Sequence, residues 1–169
     1  MSRYFFALNP DRSTRKKIHA VQTSSDLDIR RLVSTRNLHL TLLFLGPVEQ
    51  ENFNKLIDIT NDIHVPRFTL QISKSGCWKR SQVAWLAPHR IPKPLYDLVN
   101  CLTDAARQSD IEVSKRIYRA HITLARKVHS MQSMGFTPIH WEVTEFCLFN
   151  SSPVPGGVEY QLMHSWPLS

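Results

Sequence analysis

Apolar residues along the chain recur at two periods, every second position in short runs and every third or fourth in longer ones, the mark of strands mixed with helices. The first short run is Arg3 to Leu8, which reads as a strand. It stops at Asn9-Pro10-Asp11, predicting a helix with Asn9 as N-cap and Pro10 at its first position, reaching about Gln22 with Ile18 and Val21 inward. Ser24 to Thr35 reads as an irregular basic connection carrying Arg30 and Arg31, with Arg36 just beyond. His39 to Gly46 is a second strand, ended by Gly46-Pro47, and Glu49 to Ile63 carries a helical stripe at positions 53, 56, 57, 59 and 63. Phe68 to Ser73 and Val83 to Ala87 are two more strands, joined through Gly76-Cys77-Trp78-Lys79-Arg80. A third helix spans Pro94 to Gln108, with Leu95, Leu98, Val99, Leu102, Ala105 and Ala106 at helical intervals. Arg119 to Arg126 reads as a strand. Trp141 to Phe149 reads as another, with a change of phase between Val143 and Phe146 that suggests a bulge. Val158 to Trp166 closes the chain after the turn Val154-Pro155-Gly156-Gly157.

Several of these strands are linked too briefly for a parallel crossover, so the order predicts an α+β fold with mainly antiparallel sheet. No linker or low-complexity tract divides the chain, and residues 1–169 are expected to form one domain.

Composition narrows the class. With 42% hydrophobic and 21% charged residues the chain has the balance of a globular protein, neither disordered nor coiled coil. No apolar run approaches the roughly 18 residues of a membrane span. The opening apolar run is too short for a signal peptide, and Cys77, Cys101 and Cys147 stand singly, without a C-x-x-C pair. Reduced thiols and a cytoplasmic location are the expectation. A net charge of +7 favours phosphate-bearing partners, though many basic proteins bind no nucleic acid.

What changes the picture is a tetrapeptide that occurs twice, His39-Leu40-Thr41-Leu42 and His121-Ile122-Thr123-Leu124, 82 residues apart (121 − 39). One accidental H-x-T-L is expected about 0.05 times in a chain of this composition, so two copies are not a coincidence. Each copy lies in a predicted strand, where residues i and i+2 share a face. His39 and Thr41 project together while Leu40 and Leu42 bury the other face, and His121 and Thr123 repeat the arrangement. Two imidazoles and two hydroxyls meeting in one cleft suit a phosphodiester. One histidine activates the nucleophile, the other protonates the leaving oxygen, and the threonines donate to the non-bridging oxygens. A lone histidine at a strand start is more often structural; the matched pair is not. Two histidines with two neutral threonines make a poor zinc set, and neither a metal nor a cofactor is expected.

At these residues the sequence resembles the 2H phosphoesterase superfamily, named for two H-x-T-x motifs, and within it the bacterial and archaeal RNA 2',3'-cyclic phosphodiesterases, also called 2'-5' RNA ligases. The resemblance runs from Arg3-Tyr4-Phe5-Phe6-Ala7-Leu8 through Asn37-Leu38-His39-Leu40-Thr41-Leu42-Leu43-Phe44-Leu45-Gly46. It continues through Arg116 and His121-Ile122-Thr123-Leu124-Ala125-Arg126 to Val143-Thr144-Glu145-Phe146, Ser151-Ser152 and Tyr160. It implies a bilobal fold, with two pseudo-twofold-related lobes whose sheets line a central cleft and whose helices lie outside. It implies hydrolysis of a terminal 2',3'-cyclic phosphate on RNA to a 2'-phosphate, and, in reverse, 2'-5' joining of tRNA halves. It also implies His39 as proton donor to the leaving 3'-oxygen and His121 as the base, an order the near-symmetry of the motifs does not supply. The family often has Pro before the second histidine, where this chain has Ala120, and Phe where it has Tyr118. Those departures bear on the loop from Arg116 to Ala120 rather than on the chemistry.

Further candidates follow from position. Arg126 would hold a phosphate oxygen, but strict alternation from His121 turns it to the wrong face, so it needs a bulge or a strand end to reach the cleft. Arg116 stands just before the same strand. Phe5 and Phe6 alternate, so only one of them faces the cleft, where stacking on a base competes with core packing. Trp78-Lys79-Arg80 combines an aromatic with two cations, a contact for nucleobase and backbone. A non-catalytic RNA-binding module would not need both histidines and both threonines. An ATP-driven ligase is disfavoured by the lack of K-x-D-G and G-x-x-x-x-G-K-[ST] motifs. A phosphodiesterase acting on small cyclic nucleotides or 2'-5' oligonucleotides is the rival within the same fold. Nothing in the sequence implies a membrane or an obligate protein partner.

Overall fold

The computed structural model describes residues 2–169. The chain runs β1 (Arg3–Leu8), α1 (Arg12–Ser24), β2 (Leu40–Gly46), α2 (Gln50–Thr60), β3 (Phe68–Trp78), β4 (Val83–Pro88) and α3 (Lys93–Gln108). It continues through β5 (Ile122–Arg126), β6 (Ile139–Val143), β7 (Glu145–Val154) and β8 (Gly157–Pro167). All eight strands form one sheet in the order β6-β3-β4-β5-β2-β1-β7-β8, and every paired neighbour is antiparallel. The fold is α+β, as the element order predicts.

The sheet has an internal twofold pattern. From its centre, β2-β1-β7-β8 run one way and β5-β4-β3-β6 the other. In each half a strand, a helix and a returning antiparallel strand (β1-α1-β2, β4-α3-β5) stand next to the midline. The halves join where Leu40 pairs with Ile122, the middle residues of the two repeated motifs. One apolar cluster on the covered face spans both halves, from Phe6, Leu8 and Ile18 to Leu70, Leu86 and Leu98. Helix α3 contributes its whole predicted stripe to it, and a Leu-to-Ala change at Leu98 would cost about 2–5 kcal/mol.

Three expectations are corrected. Helix α1 is capped by Asp11, whose side chain accepts from the backbone N–H of Thr14 at 3.0 Å, and not by Asn9. Asn9 instead accepts from the Arg15 guanidinium. The stretch from Trp141 to Phe149 is not one bulged strand: the chain leaves β6 at Val143 and enters β7 at Glu145, and the two lie towards opposite ends of the sheet. The change of phase marks that passage. Finally, β3 runs on through Gly76 and Cys77 to Trp78, so Trp78 sits at a strand end rather than in a loop.

Candidate active site

Because the midline pair is antiparallel at Leu40 and Ile122, His39 lies across from Thr123 and His121 across from Thr41. Leu40 and Ile122 are fully buried, so the polar residues on either side of each project from the other face, into the cleft. The two imidazoles are held alike. Nδ1 of His39 donates to the Asn37 carbonyl at 2.6 Å, and Nδ1 of His121 donates to the Arg119 carbonyl at 2.7 Å. A carbonyl only accepts, so each Nδ1 carries the proton and each Nε2 is left for the cleft.

The two Nε2 atoms then differ. That of His39 lies 2.9 Å from the Thr41 hydroxyl, while no side chain or backbone group among the described residues bonds that of His121. Burial pushes the His39 imidazole down to about 4, with Arg126, His121 and Arg15 adding to the depression against the opposing pull of the Asn37 carbonyl. Burial also lowers His121, less the effect of the Arg119 carbonyl and together with that of Arg126. Both rings are therefore neutral near pH 7 in the free protein, and the Thr41 hydroxyl donates to Nε2 of His39.

The backbone before His39 is fixed by a half-buried cation. Arg15 donates to the carbonyls of Thr35 and Leu38, each at 2.8 Å, and to that of Pro10. Asn37 ties the same segment to β8 by donating to the Val158 carbonyl at 3.0 Å. On the other side of the site, Tyr118 is sunk into the protein and its hydroxyl donates to the Thr41 carbonyl at 3.0 Å. That bond, which a Phe could not make, fastens the loop from Arg116 to Ala120 onto β2.

Aromatic rings flank both histidines. Tyr160 stands edge-on to His39 at 5.2 Å between ring centroids, and Trp78 edge-on to His121 at 4.5 Å. Of the two adjacent phenylalanines, Phe5 faces the cleft side and Phe6 the core. Phe5 is only 2% exposed, enclosed by His39, Phe44, Phe149 and Tyr160, so it supports the His39 ring rather than offering a face to a base.

Arg126 reaches the cleft past a bulge and at the end of β5, the two routes its spacing left open. Trp85 pairs with Thr123 and Ala84 with Ala125, so β5 carries one extra residue, Leu124, between them. Gln22 and the backbone N–H of Val33 both donate to the Leu124 carbonyl, at 2.9 and 2.8 Å, and so pin the bulge. Beyond it, Arg126 joins His39, Thr123 and Tyr160 in a pocket of about 330 Å³, rimmed by Arg31 and Arg36. Arg116 lies instead with Trp78 in a second, open pocket that borders His121.

Phe44 is a cleft residue that the sequence argument passed over. It pairs with Phe5, is 63% exposed, and follows an extra residue, Leu42, in β2 just as Arg126 follows Leu124 in β5. Matching the two motifs position by position brings Phe44 opposite Arg126, each five residues after its histidine.

A family model described as LigT like phosphoesterase matches residues 8–85. The chain is 35% identical to the RNA 2',3'-cyclic phosphodiesterase of Escherichia coli over 99% of its own length and 97% of the relative's. It superposes on the crystal structure of Escherichia coli LigT complexed with 3'-AMP with a TM-score of 0.88 at 33% identity, covering 99% of this chain and 98% of that one. A Thermus thermophilus protein, TT0787, has the same fold with a TM-score of 0.80 at 21% identity, over 98% of this chain and 97% of that one.

Proposed function

The chain belongs to the LigT-like phosphoesterase family, and from that membership we propose how its cleft acts on RNA. The protein is an RNA 2',3'-cyclic phosphodiesterase. The cyclic phosphate binds as an anion against Arg126 and the hydroxyls of Thr41 and Thr123, which donate to the non-bridging oxygens as charge builds there. The terminal nucleotide occupies the pocket beside His39, where Arg31 and Arg36 meet the phosphates upstream.

Water attacks in line from the His121 side, giving its proton to Nε2 of His121. The bond from phosphorus to the 3'-oxygen breaks, and His39 protonates that oxygen, leaving a 2'-phosphate and a free 3'-hydroxyl. Two features support this order. Nε2 of His121 has no partner among the described residues and, with Nδ1 carrying the proton, is a neutral acceptor. His39 is neutral in the free site, and the arriving anion offsets Arg126 and raises its affinity for a proton. Once Nε2 of His39 carries that proton, the Thr41 hydroxyl has no acceptor there and turns its own proton to the phosphate. With an RNA 5'-hydroxyl in place of water, the same steps join it to the 2',3'-cyclic phosphate through a 2'-5' bond, with tRNA halves among the RNAs of this kind.

The observation that carries this reading is the matched pair of imidazoles, each locked through Nδ1 to the carbonyl two residues earlier, with both Nε2 atoms turned to one cleft. The test is hydrolysis of a short RNA ending in a 2',3'-cyclic phosphate, with EDTA present, by wild type, His39→Ala and His121→Ala. Turnover to a 2'-phosphate that survives EDTA and falls by about 100-fold or more in both variants is expected. Activity kept by either variant, or lost to the chelator, overturns the two-histidine reading.

A further inference from the structure

The pocket that borders His121 is built for a polyanion yet takes no part in hydrolysis as described. Trp78, Lys79, Arg80, Arg116 and Arg119 line an opening of about 780 Å³. All four cations are exposed, and none belongs to an ion pair among the described residues. Trp78 is held in place by Trp85 at 5.5 Å, and Trp85 lies over Gly76, where any Cβ would meet its ring at 2.4 Å. The pocket also reaches the site directly: Trp78 packs on the His121 ring and the Arg119 carbonyl holds Nδ1 of that ring.

We propose that this pocket receives a second RNA strand, the one bearing a 5'-hydroxyl. The inference rests on the two-histidine reading and adds the strand's place to it. In an in-line displacement the attacking and leaving oxygens stand on opposite sides of phosphorus. The strand ending in the cyclic phosphate occupies the His39 pocket, so a nucleophile carried by RNA must bring its chain out on the His121 side. There four unpaired cations meet its phosphates and the Trp78 indole meets a base. His121 takes the proton of the 5'-hydroxyl, the 5'-oxygen bonds to phosphorus, the bond to the 3'-oxygen breaks, and His39 protonates that oxygen. A 2'-5' linkage results, with nothing oxidised and no cofactor consumed. The reverse reaction cleaves a 2'-5'-linked RNA to the same two ends.

The experiment compares wild type with the double variant Lys79→Glu, Arg80→Glu on two substrates. One is a dinucleotide ending in a 2',3'-cyclic phosphate, which presents a single strand. The other is an oligonucleotide with an internal 2'-5' linkage and several nucleotides beyond it. The expected result is a rise in KM for the second substrate about tenfold or more above any change for the first, with a shallower dependence of log KM on log salt. Equal losses on both substrates would assign the pocket to the cyclic-phosphate strand, and no loss on either would remove RNA from it; both overturn the proposal. So would a wild-type enzyme that hydrolyses the dinucleotide yet leaves the 2'-5'-linked RNA intact at any concentration. Failure of wild type on the dinucleotide overturns the two-histidine reading itself. Coincident thermal melts of the two proteins establish that these exposed substitutions leave the fold intact.

Discussion

Phe44 and Arg126 occupy equivalent places in the two halves of the sheet, each five residues beyond its histidine and each past one extra residue in its strand. A near-symmetric pair of motifs thereby presents a cation on one side and an exposed aromatic ring on the other. Arg126→Ala removes the cation proposed to meet the phosphate, which also helps to hold both imidazoles down. Its kcat/KM is expected to fall by about 100-fold. In an NMR titration the pKa values of His39 and His121 are expected to rise, because a positive neighbour is gone. Unmoved histidine titrations would put Arg126 outside the electrostatics of the site.

The threonines are predicted to act unequally. Thr123→Val removes one donor to the phosphate and lowers kcat by about 100-fold. Thr41→Val removes a donor and also the hydroxyl bonded to Nε2 of His39. That variant is expected to lose kcat by a similar factor and to shift the acid limb of the kcat profile as well, whereas Thr123→Val leaves the limb in place. Steady-state profiles from pH 4 to 9 decide the matter.

Stability should fall with acid through His39. Its folded-state value lies near 4 against an ordinary 6.5, so below about 6.5 the unfolded chain binds a proton that the folded site refuses. The contribution is complete above pH 6.5, is lost on the way down to about 4, and amounts to roughly 3 kcal/mol at most. His39→Gln should flatten urea-derived stability between pH 4 and 6.5 relative to wild type. Parallel curves for the two proteins would refute the assignment.

Gly76→Ala tests the support beneath Trp78. The new methyl would sit 2.4 Å from the Trp85 ring, so the indole must move and take Trp78 with it. A stability loss of about 1–3 kcal/mol is expected, together with a change in tryptophan fluorescence. A variant with wild-type stability and emission would show that the ring has room to spare.

Much of this site could be read from the chain alone because its central device is local. A period of two puts His39 with Thr41 and His121 with Thr123 on one face whatever the rest of the fold does. Arg126 could be assigned only conditionally, since the bulge at Leu124 adds a residue as apolar as its neighbours and leaves no mark in the pattern. Phe44 was accessible by matching the repeats, but read by itself it is one more apolar residue of a strand. Arg15 was hidden for a different reason: a cation in a polar helix reads as solvent-facing, and its acceptors are carbonyls 20 and 23 residues away. The passage from β6 to β7 escaped because Thr144 is neither Gly nor Pro, and nothing in its side chain announces that the two strands part company.

The crossing of the helices has its own consequence. Helix α1 belongs by sequence to one half yet packs on β6 of the other, and α3 packs on β2 in exchange, over an interior that both halves share. The main core is common to both halves, and only small clusters belong to one (Phe5, Ala7, Cys147 and Phe149) or the other (Ala84, Ala125 and Val128), so unfolding is expected as one event for the whole molecule. The two histidine motifs are then expected to form together and to be lost together.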